Sequence, residues 1–322
     1  MKATEETSAP GPIWTPPGDA DLDVLSYGMG TQSSAIALMS AAGQLPRLDA
    51  VVMADTGGEL PEVYEYASYV AGVLGEAGIP FFRVTAGNLE QAMLAPVSTG
   101  PNPTPPLKIL RADGSTGRIN AYRCSYDYKR RLVQAKTKAL CGKPGQWKRS
   151  TVRQWIGFSR DEVGRVKSDD ECRCGHTMVA HAGACSRCNC ERFARWRINV
   201  HPLVDLGWTR DQTIQWFAAN GHPTPTRSAC WFCPNSSNAR WRWLREHHPD
   251  LWERACVLDE HCREGAGFQR RSSTTIEGRM YFHSSFVPLR QADLREKSQV
   301  LAEDYGIEQL FDFDCNGDTC GT

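Results

Sequence analysis

One contiguous stretch limits the folds open to this chain more than any other: Asp23-Val24-Leu25-Ser26-Tyr27-Gly28-Met29-Gly30-Thr31-Gln32-Ser33-Ser34-Ala35-Ile36-Ala37-Leu38-Met39. It reads as a short apolar strand, a glycine turn, and a helix expected to open at Ser33-Ser34 and to run to about Ala42, before Gly43 and Pro46. Gly28 and Gly30 let the backbone approach a ligand with no Cβ in the way. Ser26, Thr31, Ser33 and Ser34 supply hydroxyls, and the open amides of a helix start favour an anion. From the residues themselves two readings stand: a phosphate cradle, or an ordinary turn with serine at the N-cap. A Walker A loop is excluded because no lysine closes the turn. A G-x-G-x-x-G fingerprint is excluded because Ser33 stands where the third glycine belongs.

The alternation continues downstream. Residues 49–54 form a second expected strand, ending in Asp55-Thr56-Gly57-Gly58-Glu59. Residues 61–74 carry Val63, Tyr66, Ala67, Val70 and Leu74 at helical spacing, and 79–84 give a third strand. Strands alternating with helices predict an α/β fold with a parallel sheet, whose ligands sit at the strand carboxyl ends. Both glycine-bearing segments, 28–34 and 55–59, lie at such ends, although 55–59 on its own also reads as a solvated loop capping the next helix. Five prolines between 96 and 106 mark a long loop, a candidate lid. Residues 123–153 hold ten Lys/Arg against the single acid Asp127, which suits a phosphate-rich substrate or a solvated helix surface equally. Trp155-Ile156-Gly157-Phe158-Ser159-Arg160-Asp161-Glu162 reads as a further strand running into a polar loop.

The organisation expected is a loose Pro-rich tail over 1–21, a core over 22–262 with a Cys-rich insertion at about 170–195, and an extension over 263–322. With 37 basic and 37 acidic residues, net charge names no polyanionic partner. No apolar run reaches ~18 residues and no export signal is evident, so a soluble, cytoplasmic protein without a membrane partner is expected.

Thirteen cysteines in such a setting point to metal or redox chemistry rather than disulfides. Cys172, Cys174, His176, His181, Cys185, Cys188 and Cys190 fall within nineteen residues. Thiolate pairs split by a short loop suit structural, tetrahedral Zn²⁺; Cys172, Cys174, Cys185 and Cys188 are the expected ligands, with Cys190 or His176 as substitutes. Arg187, Arg192, Arg195 and Arg197 around them permit contact with nucleic acid. A second set, Cys230-Trp231-Phe232-Cys233-Pro234, could complete a zinc knuckle with Cys256 and Cys262, act as a redox pair, or join the distant Cys124. Cys315 and Cys320 close the chain.

Several of these segments, in this order, resemble the phosphoadenosine phosphosulfate (PAPS) reductase-like family of the PP-loop ATP pyrophosphatases, the adenine nucleotide alpha hydrolase-like superfamily. Residues 26–34 follow the frame of the PP-loop, with Met29 in place of the usual middle glycine and Gln32 where many relatives carry Asp. Asp55-Thr56-Gly57-Gly58-Glu59-Leu60-Pro61 is similar to a family segment that lines the nucleotide site. The Gly157 loop with Ser159, Arg160 and Arg165 is similar to one that holds substrate phosphates. Arg123-Cys124 through Lys129, with Ser228-Ala229-Cys230 through Cys233-Pro234, loosely matches paired cysteine motifs. In iron–sulfur members of the wider group an upstream cysteine joins such a pair around a [4Fe–4S] cluster. Cys320-Gly321 is placed like the nucleophilic cysteine of PAPS reductases.

The resemblance implies binding of ATP or another adenine nucleotide through Ser26, Gly28, Gly30, Thr31, Gln32, Ser33, Ser34, Asp55, Thr56, Gly57, Ser159, Arg160 and Arg165, with Mg²⁺. It implies chemistry at Cys124, Lys129 and Cys320, and a cluster on Cys124, Cys230 and Cys233. The leading expectation is a sulfurtransferase that adenylates an acceptor, such as DNA or tRNA, with a sulfur or electron donor protein as partner. A sulfonucleotide reductase using Cys320, and a non-catalytic zinc-ribbon protein binding nucleic acid, are the alternatives. Oligomeric state is not readable from the sequence.

Overall fold

The computed structural model describes residues 12–95, 100–119, 123–143, 145, 150–166, 196–263 and 277–296. In chain order the strands are β1 (Leu22–Tyr27), β2 (Ala50–Asp55), β3 (Phe81–Thr85), β4 (Lys108–Leu110), β5 (Thr116–Arg118), β6 (Val152–Ile156), β7 (Arg197–Val200) and β8 (Arg279–Tyr281). The helices are α1 (Thr31–Ala41), α2 (Pro61–Glu76), α3 (Leu89–Leu94), α4 (Arg131–Leu140), α5 (Pro202–Asp205), α6 (Arg210–Ala219), α7 (Asn238–His247) and α8 (Pro249–Arg263). They fall into two compact units.

The first unit draws on residues up to 54, 61–84 and 132–228. Its centre is a five-stranded parallel sheet in the order β3-β2-β1-β6-β7, so the expected α/β class with a parallel sheet is what forms. The period of two sorts the side chains. Val24, Val52 and Val152 join Ala50, Ala54, Trp196 and Val133 of α4 in one buried cluster. In register, Leu25 lies beside Val51 and Trp155. α1 packs against α2, α5, α6 and β1, and nine of its eleven residues are buried. Fully buried Leu25, Ile36, Leu38 and Val51 contribute roughly 1.5–3 kcal/mol each.

An ion pair fixes the β1–β6 register. The Asp23 carboxylate accepts from Arg153 Nε and Nη2, both at 2.7 Å, and from Trp155 Nε1 at 2.6 Å. The Trp14 ring meets Trp155 edge-on at 5.0 Å. Removing one partner of a pair this well covered costs about 3–5 kcal/mol.

The second unit comprises Asp55–Leu60 and the described parts of 85–131 and of the chain from 229 onward. An antiparallel sheet ordered β5-β4-β8 carries it, with α8 against α3, α7 and β8. Asp259, wholly buried on α8, accepts from the amides of Phe282 at 2.7 Å and Leu289 at 2.9 Å and pairs with Arg263. It thereby ties the chain after β8 to the helix. Cys256 and Cys262 are core residues of α8, less than 2 % exposed. Burial pushes the Cys256 thiol up to about 12, and the charges acting on it come from Arg290, Glu253, Asp259 and Glu260, not from the Cys230–Cys233 pair. The two thiols lie six residues apart on that helix. Among the described residues no helix is long and apolar enough to cross a membrane.

Candidate functional site

The glycine turn of the first unit forms as a strand-to-helix junction, but the helix opens two residues earlier than expected, at Thr31, with Gly30 as N-cap. The serines are not caps because they brace the turn. Ser33 Oγ donates to the Gly30 carbonyl and accepts from the Gly28 amide, both at 3.2 Å. Ser34 Oγ bonds the Tyr27 hydroxyl at 3.1 Å, and burial pushes that phenol up to about 12. Gly30 has no side chain to cap the helix, and the first turn holds no acidic residue. The start of α1 therefore keeps its partial positive charge for an anion. Met29 adopts the left-handed region at φ 60° with its side chain 2 % exposed, a position glycine fills without strain.

Gln32 does not stand in for a metal-binding carboxylate. Its amide donates to Ser159 Oγ at 3.4 Å and to Glu162 Oε2 at 3.0 Å, which joins the helix start to the loop after β6. Gly157 makes this approach feasible: a Cβ there would lie 2.6 Å from Ser33 N and 2.9 Å from Ser33 Cα. Ser159 is buried, Arg160 is exposed, and Arg165 pairs with Glu162. The loop is held by Arg160 N donating to the Trp208 carbonyl at 2.7 Å, and by Asp161 accepting from Arg210 N at 2.6 Å. Ser26, Gly28, Gly30, Thr31, Gln32, Ser33, Ser34, Ser159, Arg160 and Arg165 thus all fall in one unit.

Asp55, Thr56 and Gly57 belong to the second unit, where Thr56 touches the cysteine turn. Asp55 Oδ1 accepts from Gly57 N at 2.8 Å. Thr56 Oγ1 lies 3.3 Å from Cys230 Sγ, and Trp231 N donates to the Gly58 carbonyl at 2.8 Å. A Cβ on Gly58 would stand 2.7 Å from the Phe232 ring. Glu59 is buried and pairs with Lys129 at 3.4 Å. Lys129 is set by a π-helical turn, Tyr126–Arg130, a local irregularity often found at functional sites.

Cys230 and Cys233 share one turn, the Cys233 amide donating to the Cys230 carbonyl at 3.0 Å, and Cys124 lies in the same unit. Burial pushes Cys124 up to about 12, helped by Cys230 and Cys233 and opposed by Lys129. Burial likewise raises Cys230 to about 12, against the pull of Lys129. Burial works against the Lys129 ammonium, but Glu59 and Cys230 hold its pKa above the usual lysine value. Trp231 and Phe232 are buried. Three neighbouring thiols, a cation and an apolar wall suit a soft metal group in their chemistry. Among the described residues, however, no three His, Cys, Asp or Glu side chains are drawn close enough to hold a metal ion.

Two participants were not singled out from the sequence. Lys108 donates to the Pro234 carbonyl, and burial pushes its ammonium down to about 8; nothing local in the Pro-rich stretch before it signals this. Glu162 lay inside a segment already noted, and its carboxylate three residues after Ser159 was the available signal. Cys172, Cys174, His176, Cys185, Cys188 and Cys190, with the zinc expectation, and Cys315 and Cys320, lie outside the described residues. Comparison with protein-family models gives no match, and neither does comparison with curated proteins.

Proposed function

We propose that the chain is an adenine-nucleotide-dependent sulfurtransferase of the ATP pyrophosphatase type, acting on a nucleic-acid acceptor. The observation that carries the reading is the braced, uncapped helix start that ends the first strand, together with a second unit in which Thr56 meets Cys230 and Glu59 pairs with Lys129. The amides of Thr31, Gln32 and Ser33, with Arg160 and Arg165, hold the nucleotide phosphates, and Mg²⁺ accompanies the triphosphate. Adenylation makes AMP the leaving group, so a poor leaving oxygen becomes a good one.

In the second unit, Cys124, Cys230 and Cys233 are the thiols the sulfur transfer would use, and were an iron–sulfur group to bind, they would be its ligands and it would supply a site for a substrate sulfur. Lys129 offsets the negative charge of thiolates there, Thr56 orients Cys230, and Trp231 with Phe232 keeps water out. The test is anaerobic incubation with labelled ATP, with and without DNA or RNA. Acceptor-dependent release of AMP and pyrophosphate, lost in Cys124→Ser with ATP binding retained, is the expected result. ATP bound but never cleaved, with sulfite released from PAPS instead, would make the protein a sulfonucleotide reductase. Protein that absorbs nothing near ~400 nm after anaerobic purification would remove the cluster.

A further inference from the structure

The loop after β6 carries a feature the phosphate chemistry does not use. Phe158 follows Gly157 at the carboxyl end of β6 and is half-buried. One neighbour is His201, at the carboxyl end of adjacent β7, whose ring is stacked with Phe158 at 5.6 Å and 7° between planes. The other is Arg165, whose guanidinium carbon sits 4.5 Å from the centre of the Phe158 ring. Carboxyl ends of neighbouring parallel strands are where open α/β sheets bind ligands. The next residue, Ser159, is already tied to Gln32 of α1.

The Arg165 arrangement is incomplete. Its terminal nitrogen reaches Glu162, yet its Nε is buried with no hydrogen-bond partner among the described residues. A buried donor left unmade costs free energy, so a ligand that draws the guanidinium off the ring has something to gain. A flat, electron-rich ring that holds a planar cation on one side can hold a purine in its place, because stacking on an aromatic face is tolerant of what is stacked.

We infer that the Phe158 ring is the seat of the nucleotide base: the purine replaces the Arg165 guanidinium on the ring, and the released guanidinium turns to the phosphates. This rests on the adenine-nucleotide reading above and adds to it the residue that tells a nucleotide from a bare polyphosphate. His201 stacks with the ring, and the loop's bonds to Trp208 and Arg210 keep it from moving when the base lands.

The experiment is titration calorimetry of ATP and of inorganic tripolyphosphate, each with Mg²⁺, on the full chain and on Phe158→Ala, Phe158→Leu and Phe158→Trp, with thermal unfolding as a check of folding. Wild type should bind ATP more tightly than tripolyphosphate. Phe158→Ala and Phe158→Leu should weaken ATP binding by ~5- to 100-fold, the range of one base stacked on an aromatic ring, and leave tripolyphosphate unchanged. Phe158→Trp should keep the preference. ATP binding of wild-type strength in Phe158→Leu overturns the inference and leaves the nucleotide reading standing. Equal weakening of both ligands gives the ring a structural role and overturns it as well. Wild type that binds neither ligand removes the nucleotide reading and this inference together.

Discussion

Gly157→Ala tests the geometry of the first unit at its tightest point. Nothing in the backbone conformation of Gly157 demands glycine; the restriction is space. The added methyl would meet Ser33 N at 2.6 Å, Ser33 Cα at 2.9 Å and the Gln32 carbonyl carbon at 3.1 Å. Ordinary contact begins at 3.4 Å, so the shortfall against Ser33 N is 3.4 − 2.6 = 0.8 Å. All three obstacles are backbone of the first turn of α1, a helix buried over most of its surface, so no side chain can swing aside. Overpacking costs about 1–3 kcal/mol, and a wall of backbone on a packed helix places this change at the top of that range, near 3 kcal/mol. For a chain of this size that lowers the melting temperature by roughly 4–5 °C. The same displacement parts Gln32 from Ser159 and Glu162, so ATP affinity should fall with stability. Gly30→Ala is the control: nothing lies within 4 Å of its Cβ, so the fold should hold while a methyl at the helix start obstructs the anion. Calorimetric unfolding with ATP titration reads both effects. A Gly157→Ala protein that melts with wild type would refute the packing described for this loop.

In the second unit, Gly58→Ala drives a methyl to 2.7 Å from the Phe232 ring and 3.4 Å from Cys230 Sγ. It should cost about 1–3 kcal/mol and raise thiol labelling of Cys230 by iodoacetamide; unchanged labelling and unchanged stability together would refute that contact. At Met29, two opposed effects separate in a pair of variants. Met29→Ala loses the buried side chain but keeps a strained φ, whereas Met29→Gly loses the side chain and relieves the strain, so the glycine variant should be the more stable by about 1 kcal/mol; the reverse order by denaturant melting would mean that position 29 is not left-handed. For His283, burial and the Lys108 charge hold its pKa below the usual 6.5, with Asp259 and Asp293 opposing. The unfolded chain then takes up that proton first as pH falls, so the contribution to stability is complete above 6.5 and is lost as pH drops through the folded value. Urea unfolding across this window should show the loss in wild type, and His283→Asn should flatten it.

What the sequence made legible was local. The strand, turn and helix of the cradle could be read because they are contiguous and each signal acts within a few residues. The helix start was misplaced because serine at an N-cap is the common pattern. Here Ser33 instead spends its hydroxyl on Gly28 and Gly30, within the turn. The left-handed Met29 could not be read at all: an apolar residue takes that conformation only when burial of its side chain, 2 % exposed, outweighs ~1–2 kcal/mol of backbone strain. Gln32 and Lys108 find their partners through tertiary structure, and no spacing in the chain announces them. That Cys124 belongs with Cys230 and Cys233 was expected only through a resemblance, since no local pattern joins residues so far apart.

The glycines of 55–59 show how one signal can carry two meanings. A glycine pair at the end of a parallel strand is what a phosphate site needs, and by resemblance that was its expected use. The geometry supplies a different requirement. Gly57 is left-handed at φ 70°, which brings its amide to the Asp55 carboxylate. Gly58 has no Cβ because the Phe232 ring and Cys230 already fill that space, and its carbonyl holds Trp231 N. Asp55–Leu60 is therefore shaped by the cysteine turn it supports, with Thr56 touching Cys230 and Glu59 fixing Lys129. Gly58 and Gly157 each mark a place where two backbone segments meet without room for a side chain. One of these contacts seats a thiol and the other seats a helix start, so the close approaches that build this protein's candidate chemistry are written in glycine, while the residues that perform it are placed by what those approaches bring together.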